Sequence, residues 1–502
     1  MTYYFSDNKA LAGHGRLSAR SGAISMVARA VNSIFQVGFV LYMARLLEPE
    51  DYGLVAMVLA ITGLAPVVVD LGTRDAVAQR ARITEGEIAA LFWITLAVGF
   101  GFTLLVAVSG PFIAWFYAEP RLTRIALVSS LTFVATALPC QHQALLRRAM
   151  RFQQLALIEV AAGMLSASVA IAMALHGWHY WALVIRPIAM SVLIGVGVAL
   201  YCRWLPVKPT VTPGVWAMIK FGLNIIGFTT TDSLGRSADR VAIGKTYGAG
   251  GLGQYQNALL IYDHLLDLLT GLHVVAVPSL SKLTDALDEL RRLWAKGLST
   301  VTFYAMPAFG IMAVTSQDLV VLLLGSKWST AGVLLSVLGL RGIPHVVERT
   351  SGWLHLPAGR TDRFMRWGVW ATSAQLVALL CGLPFGPMGV AVAYVVCMYV
   401  LFVPAIAYAG RPLGIRVADV IRAVGPQLLG ALTSAGLGFL LRYTLFVDTP
   451  GLERVVLLTL AYSASYFVIV AGFFGVRTPL RVALSLLRDV KPARLAPPSL
   501  PI

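Results

Sequence analysis

Acidic and basic side chains recur at four-residue intervals inside segments that are otherwise apolar. Asp232, Arg236 and Arg240 form one such series, and Asp263 and Asp267 repeat the interval. Four-residue spacing places side chains on one face of a helix, so each series predicts a polar stripe. Carboxylates in such a stripe can bind a cation or a proton, whereas arginines can bind an anion.

A charged group at the depth of a bilayer costs about 3 kcal/mol on insertion scales, so each one needs a partner or a water-filled cavity. The other ionisable residues predicted inside helices are Arg29, Glu159, Arg186 and Lys220, and the stripe Arg341, His345 and Arg349. These groups can serve a substrate, or they can neutralise one another. The pairs that would form without a ligand are Asp232–Arg236, Arg349 with Glu348 or Glu159, and Asp263 or Asp267 with Arg29 or Arg236.

The composition indicates a membrane protein. Charged residues make up 13% of the 502 residues, hydrophobic residues make up 58%, and the mean hydropathy is +0.76. A water-soluble chain carries about 25% charged residues, and no core could absorb this much apolar surface. Residues 367–410 contain no charge and are interrupted by FGPMG at 385–389. Because one span needs roughly 20 apolar residues, this window predicts two helices joined by a tight turn.

Hydropathy predicts an all-α polytopic membrane protein with about fourteen transmembrane helices. The predicted spans are 20–45, 52–73, 88–113, 122–145, 153–175, 178–202, 215–239, 250–276, 294–315, 328–350, 364–383, 387–410, 418–442 and 452–476. With both termini cytoplasmic, most of the 40 Lys and Arg residues fall on inside connections, as the positive-inside rule requires. The net charge of +16 therefore indicates topology and contact with anionic lipid headgroups, not nucleic acid.

The first outside connection is rich in acids. Glu48, Glu50 and Asp51 surround Pro49 there. Proline cannot continue the first helix, and Glu50 or Asp51 can cap the second, where a negative charge suits the helix dipole.

The chain resembles itself at an offset of 200 residues. At this offset Gly222, Asp232, Ser233, Lys245 and Gly253 fall on Gly22, Asn32, Ser33, Arg45 and Gly53. The offset maps helix one onto helix seven and predicts a parallel repeat about an axis along the membrane normal. We expect two pseudo-symmetric six-helix lobes around a central cavity and two additional C-terminal helices. The predicted boundaries are 1–208, 209–412, 413–480 and a cytoplasmic tail at 481–502.

Three segments resemble a known family. They are ARLLEPEDYGLVAM at 44–57, LPCQHQALLRRAMRFQQLALIEV at 138–160 and DRVAIGKTYGAGGLGQYQNA at 239–258. Each is similar to a helix connection of the Wzx-like oligosaccharide flippases, which belong to the multidrug/oligosaccharidyl-lipid/polysaccharide exporter superfamily. Together with the span count, the resemblance covers nearly the whole chain.

The resemblance implies a flippase that works by alternating access on oligosaccharide repeat units linked to undecaprenyl diphosphate. It implies a place in the bacterial inner membrane and a role in exopolysaccharide, capsule or O-antigen synthesis, beside a polysaccharide polymerase and export machinery. A diphosphate needs fixed cations in a wet cavity, and the planar donor fork of arginine suits its oxygens. The residues assigned to it are Arg29, Arg236 and Arg341 first, then Arg186, Lys220 and Arg240. The residues assigned to a coupling cation, H⁺ or Na⁺, or to structural pairs are Asp232, Asp263, Asp267 and Glu159.

Two other functions are open alternatives. A cation-coupled drug exporter of the same superfamily would favour acids over buried arginines and would usually have twelve spans. A membrane-embedded glycosyltransferase or polymerase should have a large outside loop with catalytic acids, whereas the longest outside connections here have only about a dozen residues. The sequence contains no Walker motif and no metal-ligand cluster, so we expect a transporter without a metal or organic cofactor, not an enzyme.

Overall fold

The computed structural model describes residues 35–63, 69–80, 83–270, 280, 286–355, 360–476 and 479, with the backbone alone at 75, 78, 79, 221–236, 270 and 361. Every regular element in these ranges is helical. Apolar segments fold this way in lipid because a helix satisfies its own backbone N–H and C=O groups.

The helices follow one another with short connections. They are α1 Phe35–Leu46, α2 Pro49–Thr62, α3 Thr73–Gln79, α4 Glu85–Tyr117, α5 Arg121–Arg148, α6 Phe152–Leu175, α7 Trp181–Cys202, α8 Pro213–Thr270, α9 Leu287–Leu324, α10 Ser329–Arg349, α11 Gly352–His355, α12 Thr361–Gly382, α13 Gly386–Gly410, α14 Val417–Thr444 and α15 Gly451–Phe467. A π-helical segment, Val468–Phe473, continues α15.

Within the described part of the chain, nine stretches are long and apolar enough to cross a bilayer. One of them, Asp362–Leu413, contains α12 and α13, the two helices predicted on either side of the FGPMG turn. The predicted all-α, multi-pass membrane protein is therefore confirmed. The number fourteen stays a prediction.

Two predicted connections have a different structure. The outside connection predicted between 239 and 250 is helical, because α8 runs from Pro213 to Thr270 and departs from helical geometry only at Gly248, with φ 68° and ψ −175°. Positive φ carries no steric penalty for glycine, so a single residue makes the bend. The inside connection predicted after helix two contains α3, which begins after the left-handed residues Leu71 and Gly72.

The chain divides into two compact units, which are described separately. The first holds the described residues up to Asn257 together with Leu323–Trp328. The second holds the described residues of 258–322 and those from Ser329 onward. The lobes predicted at 1–208 and 209–412 stay a prediction.

The acidic connection between α1 and α2 has the predicted capping role. Pro49 is the first residue of α2, and the Asp51 carboxylate accepts the backbone N–H of Glu48 at 3.0 Å. The same carboxylate accepts the backbone N–H of Tyr180, at the start of α7, at 3.1 Å. Asp51 therefore joins the beginning of α2 to the connection before α7.

Candidate substrate-binding site

Arg341, on α10, lies against two aromatic rings in the second compact unit. Its guanidinium carbon is 5.1 Å from the ring centroid of Tyr394 on α13 and 5.6 Å from that of Tyr262 on α8. Both tyrosines are buried, whereas Arg341 is half-buried. A cation–π contact is worth about 0.5–2 kcal/mol, depending on its exposure to water. Three helices therefore hold a permanent positive charge in an aromatic environment.

A histidine and a glutamate continue this cluster along α10. The Nδ1 atom of His345 is 2.6 Å from the hydroxyl oxygen of Tyr262, and the two rings stack at 15° with centroids 6.0 Å apart. The hydroxyl donates when the proton of the neutral imidazole is on Nε2. That Nε2 atom lies 3.9 Å from the Glu348 carboxylate. These contacts hold the Tyr262 ring in the orientation that supports Arg341.

The chemistry available to this cluster is recognition of an anion beside a polar, ring-shaped group. Guanidinium N–H donors bind phosphate or carboxylate oxygens, and they do so more strongly than neutral donors. Tyrosine offers an apolar face and a hydroxyl, which suits a sugar ring. Among the described residues, no group of three or more His, Cys, Asp or Glu side chains is placed to hold a metal ion.

An ion pair lies near this cluster, between α8 and α10. Arg349 donates to the Asp267 carboxylate at 3.1 Å, and both side chains are exposed. The sequence suggested Glu348 or Glu159 for Arg349, so the expected partners were wrong. Asp263, one turn before Asp267, is also exposed. An exposed pair is worth about 0–1 kcal/mol, so Asp267 can exchange its partner at little cost.

Arg186 lies in the first compact unit, on α7, and is held by α1. Its guanidinium carbon is 3.8 Å from the ring centroid of Phe39, and one terminal N–H donates to the side-chain oxygen of Gln36. Gln36 and Phe39 are three residues apart and therefore share a face of α1. The Nε atom of Arg186 is buried and has no hydrogen-bond partner among the described residues. Arg186 thus has a donor that no described group satisfies.

The remaining predicted site residues of the described chain occupy separate places. Lys220 is exposed near the beginning of α8. Arg240 is half-buried further along α8, and Glu159 is half-buried on α6. The structure does not gather these three residues into the Arg341 cluster, which belongs to the second compact unit.

Three predicted residues cannot be placed in this way. Arg29 lies outside the described residues, and only the backbone is described for Asp232 and Arg236. Their assignments to the substrate or to a coupling ion stay predictions.

Sequence reasoning missed the aromatic and amide residues that hold the two arginines. Tyr262, Tyr394, Phe39 and Gln36 carry no charge, and an aromatic residue in an apolar helix is more often a packing residue than a ligand. The one available signal was the position of Tyr262 directly before Asp263, on a helix already marked by its acids.

Comparison with known proteins gives a family and a set of relatives. Residues 42–332 match the family model described as "Polysaccharide biosynthesis protein". The lipopolysaccharide biosynthesis protein WzxC of Escherichia coli (strain K12) is 24% identical over 354 residues, which are 68% of this chain and 70% of that protein. The teichuronic acid biosynthesis protein TuaB of Bacillus subtilis (strain 168) is 26% identical over 310 residues, 61% of this chain and 64% of that protein.

Solved structures show the same fold at low sequence identity. The inward closed conformation of the lipid II flippase MurJ matches with a TM-score of 0.66 and 13% identity, over 89% of this chain and 99% of that one. An inward-facing multidrug resistance transporter of the MATE family, from the MOP superfamily, matches with a TM-score of 0.61 and 13% identity, over 78% of this chain and 98% of that one. The all-α architecture is thus that of MOP transporters.

Proposed function

The chain belongs to the polysaccharide biosynthesis protein family, and on that premise we propose that it is a flippase for polyprenyl-diphosphate-linked oligosaccharides. The relatives are named for polymers built from sugars, and the MurJ structure is that of a lipid II flippase. A multi-pass membrane protein of this fold suits such a substrate, because the polar head must cross the bilayer while the lipid tail stays in it.

The observation that carries the proposal is Arg341 and its two tyrosines. A diphosphate entering the membrane needs a cation that stays charged, and the guanidinium meets this requirement at any physiological pH. Tyr262 and Tyr394 place aromatic surface beside that cation for the first sugar of the repeat unit. Arg29, Arg236, Arg186, Lys220 and Arg240 are the further cations that we assign to the path of the diphosphate.

The energy for directional transport would come from a coupling cation, H⁺ or Na⁺. Asp263 and Asp267 are exposed on α8, and Glu159 is half-buried on α6. Asp232 is the fourth carboxylate of this set. Release of Arg349 from Asp267 would free a carboxylate for such an ion, since the pair is weakly held.

We place the protein in the bacterial inner membrane with both termini in the cytoplasm. In that position it would take undecaprenyl-diphosphate-linked repeat units from cytoplasmic glycosyltransferases and deliver them to a polysaccharide polymerase outside. The drug-exporter alternative shares the fold of the MATE structure. The family match favours the flippase, because it covers more than half of the chain and carries a polysaccharide biosynthesis description.

The test is complementation of a flippase-null strain that makes a defined repeat unit. The wild-type chain should restore polymer at the cell surface. Arg341→Ala and Arg29→Ala should accumulate lipid-linked intermediates on the cytoplasmic side at normal protein levels. Loss of a charge-assisted hydrogen bond is worth about 1.5–3 kcal/mol, so we expect the initial transport rate to fall about 10- to 100-fold for Arg341→Ala.

Two variants make the result specific. Arg341→Lys keeps the charge without the planar fork and should recover only part of the rate. Arg292→Ala removes an exposed arginine from α9 and should transport normally. Normal polymer from Arg341→Ala at normal expression would remove this residue from the diphosphate site. Failure of the wild-type chain with every repeat unit tested would reject the flippase.

A further inference from the structure

The 200-residue repeat has a structural counterpart in two helix beginnings. Helix α2 begins at Pro49, directly after Glu48. In the second copy, α8 bends at Gly248, and its final helical part begins at residue 249. The two helices therefore begin 200 residues apart, at equivalent positions. Because both belong to the first compact unit, their contact can be described directly.

The equivalent residues touch each other in exchange. A Cβ atom added to Gly53 would lie 1.7 Å from the carbonyl oxygen of Ala249. A Cβ atom added to Gly253 would lie 1.7 Å from the carbonyl oxygen of Pro49. Each glycine thus faces the residue equivalent to the one four places before the other glycine. This reciprocity is what a local two-fold axis between the two helices produces, and small residues four apart are the usual means of close helix approach in membranes.

The same exchange continues one turn before the glycines. Arg45 Nε donates to the carbonyl oxygen of Leu323, the next-to-last residue of α9, at 2.7 Å. Lys245 Nζ donates to the carbonyl oxygen of Phe116, the next-to-last residue of α4. The last carbonyls of a helix have no partner within it and carry a partial negative charge, so a cation binds there well. Residues 45 and 245 therefore make equivalent bonds.

Two acids complete the contact at its edge. Glu48 receives Lys327 at 3.2 Å, and Glu50 receives Arg121. The Glu48 and Glu50 side chains are 62% and 53% exposed. Exposed ion pairs are worth about 0–1 kcal/mol each, and glycine backbones have no interlocking side chains to withdraw. The contact can therefore hold the helices together and still separate at moderate cost.

We propose that Pro49, Gly53, Ala249 and Gly253, here called the glycine clasp, form the extracytoplasmic gate of the transporter. This inference rests on the proposed function, since a flippase must open on the outside to release its substrate. The positive-inside pattern puts the α1–α2 connection on that side. The clasp is closed in this structure, and its two glycines set how closely the gate can shut.

A cysteine placed just past the clasp reports whether the gate is shut. Met57 is one turn after Gly53, is 1% exposed, and packs where a Cβ on Gly244 would lie 3.3 Å away. In a chain whose four cysteines are replaced by alanine, Met57→Cys should react slowly with a membrane-impermeant maleimide added to intact cells or right-side-out vesicles. Gly53→Ala and Gly253→Ala should each increase this labelling rate about 10-fold or more, because the added methyl group keeps the helices apart.

The control is Gly250→Ala, on the same helical part as Gly253. A Cβ atom there meets nothing within 4 Å, so labelling should match the parent. If either clasp variant fails to reach the membrane, Arg45→Gln with Lys245→Gln weakens the gate without adding atoms and should also speed labelling. Equal rates in all folded variants, or faster labelling only from the cytoplasmic side, would overturn the gate. The assay needs no lipid-linked sugar, so it is independent of whether complementation succeeds.

Discussion

Asp318 at the end of α9 joins the two C-terminal helices to the rest of the second compact unit. Its carboxylate accepts Arg442 of α14 at 2.6 Å and Arg454 of α15 at 3.2 Å. Arg442 also donates to the carbonyl oxygen of Val314 at 3.1 Å. We predict that Asp318→Asn destabilises the protein, since two arginines would then share a site with no negative charge.

The magnitude follows from the burial of the three groups. The side chains of Asp318, Arg442 and Arg454 are 14%, 6% and 20% exposed. Removing one partner of a buried ion pair costs about 3–5 kcal/mol. Arg454 keeps some access to water, so we expect the lower end, about 3 kcal/mol, or roughly a 100-fold change in the unfolding equilibrium constant.

The measurement is unfolding of the purified protein in a mild detergent, followed by helical circular dichroism. Asp288→Asn is the matched control, because Asp288 lies on the same helix in a pair with Arg291 and is 85% exposed. Its effect should stay within about 0.5 kcal/mol. Combining Asp318→Asn with Arg442→Met should recover part of the loss, since the most buried unpaired charge is then gone.

Two outcomes would refute this reasoning. One is an Asp318→Asn variant as stable as the Asp288→Asn control. The other is a double variant that loses as much free energy as the sum of its single changes, which would mean that Asp318 and Arg442 do not interact.

Two further predictions concern the outside connections. The hydrogen bond from Arg121 lowers the pKa of Glu119, so the charged carboxylate stabilises the fold above pH 4.5 and this contribution is lost as the pH falls below that value. Glu119→Gln should flatten the acid side of the stability profile by about 0.2–1 kcal/mol, and an unchanged profile would contradict the pairing. Trp328→Phe removes the indole N–H that donates to the Ala44 carbonyl oxygen at 2.7 Å. It should cost about 1–3 kcal/mol in detergent unfolding, because the oxygen stays buried, and a cost below 0.5 kcal/mol would argue against that bond.

The helices themselves were largely predictable from the sequence. The predicted spans 364–383 and 387–410 match α12, Thr361–Gly382, and α13, Gly386–Gly410, within three residues at each end. This agreement has a local cause, since the bilayer requires about 20 consecutive apolar residues and a helix satisfies its hydrogen bonds within the same segment. The bend at Gly248 was predicted as a connection for the same reason: glycines and a tyrosine interrupt the apolar run.

The pairing of residues distant in sequence was decided only by the tertiary structure. The sequence identified Arg341 by its charge, but Tyr394 reaches it only because α10 packs on α13. The sequence also aligned Gly253 with Gly53 without indicating that each meets the other's helix. Hydropathy depends on each segment separately, whereas a contact between residues 200 positions apart depends on how the helices are arranged, and that arrangement is set by shape and by the few charges they share.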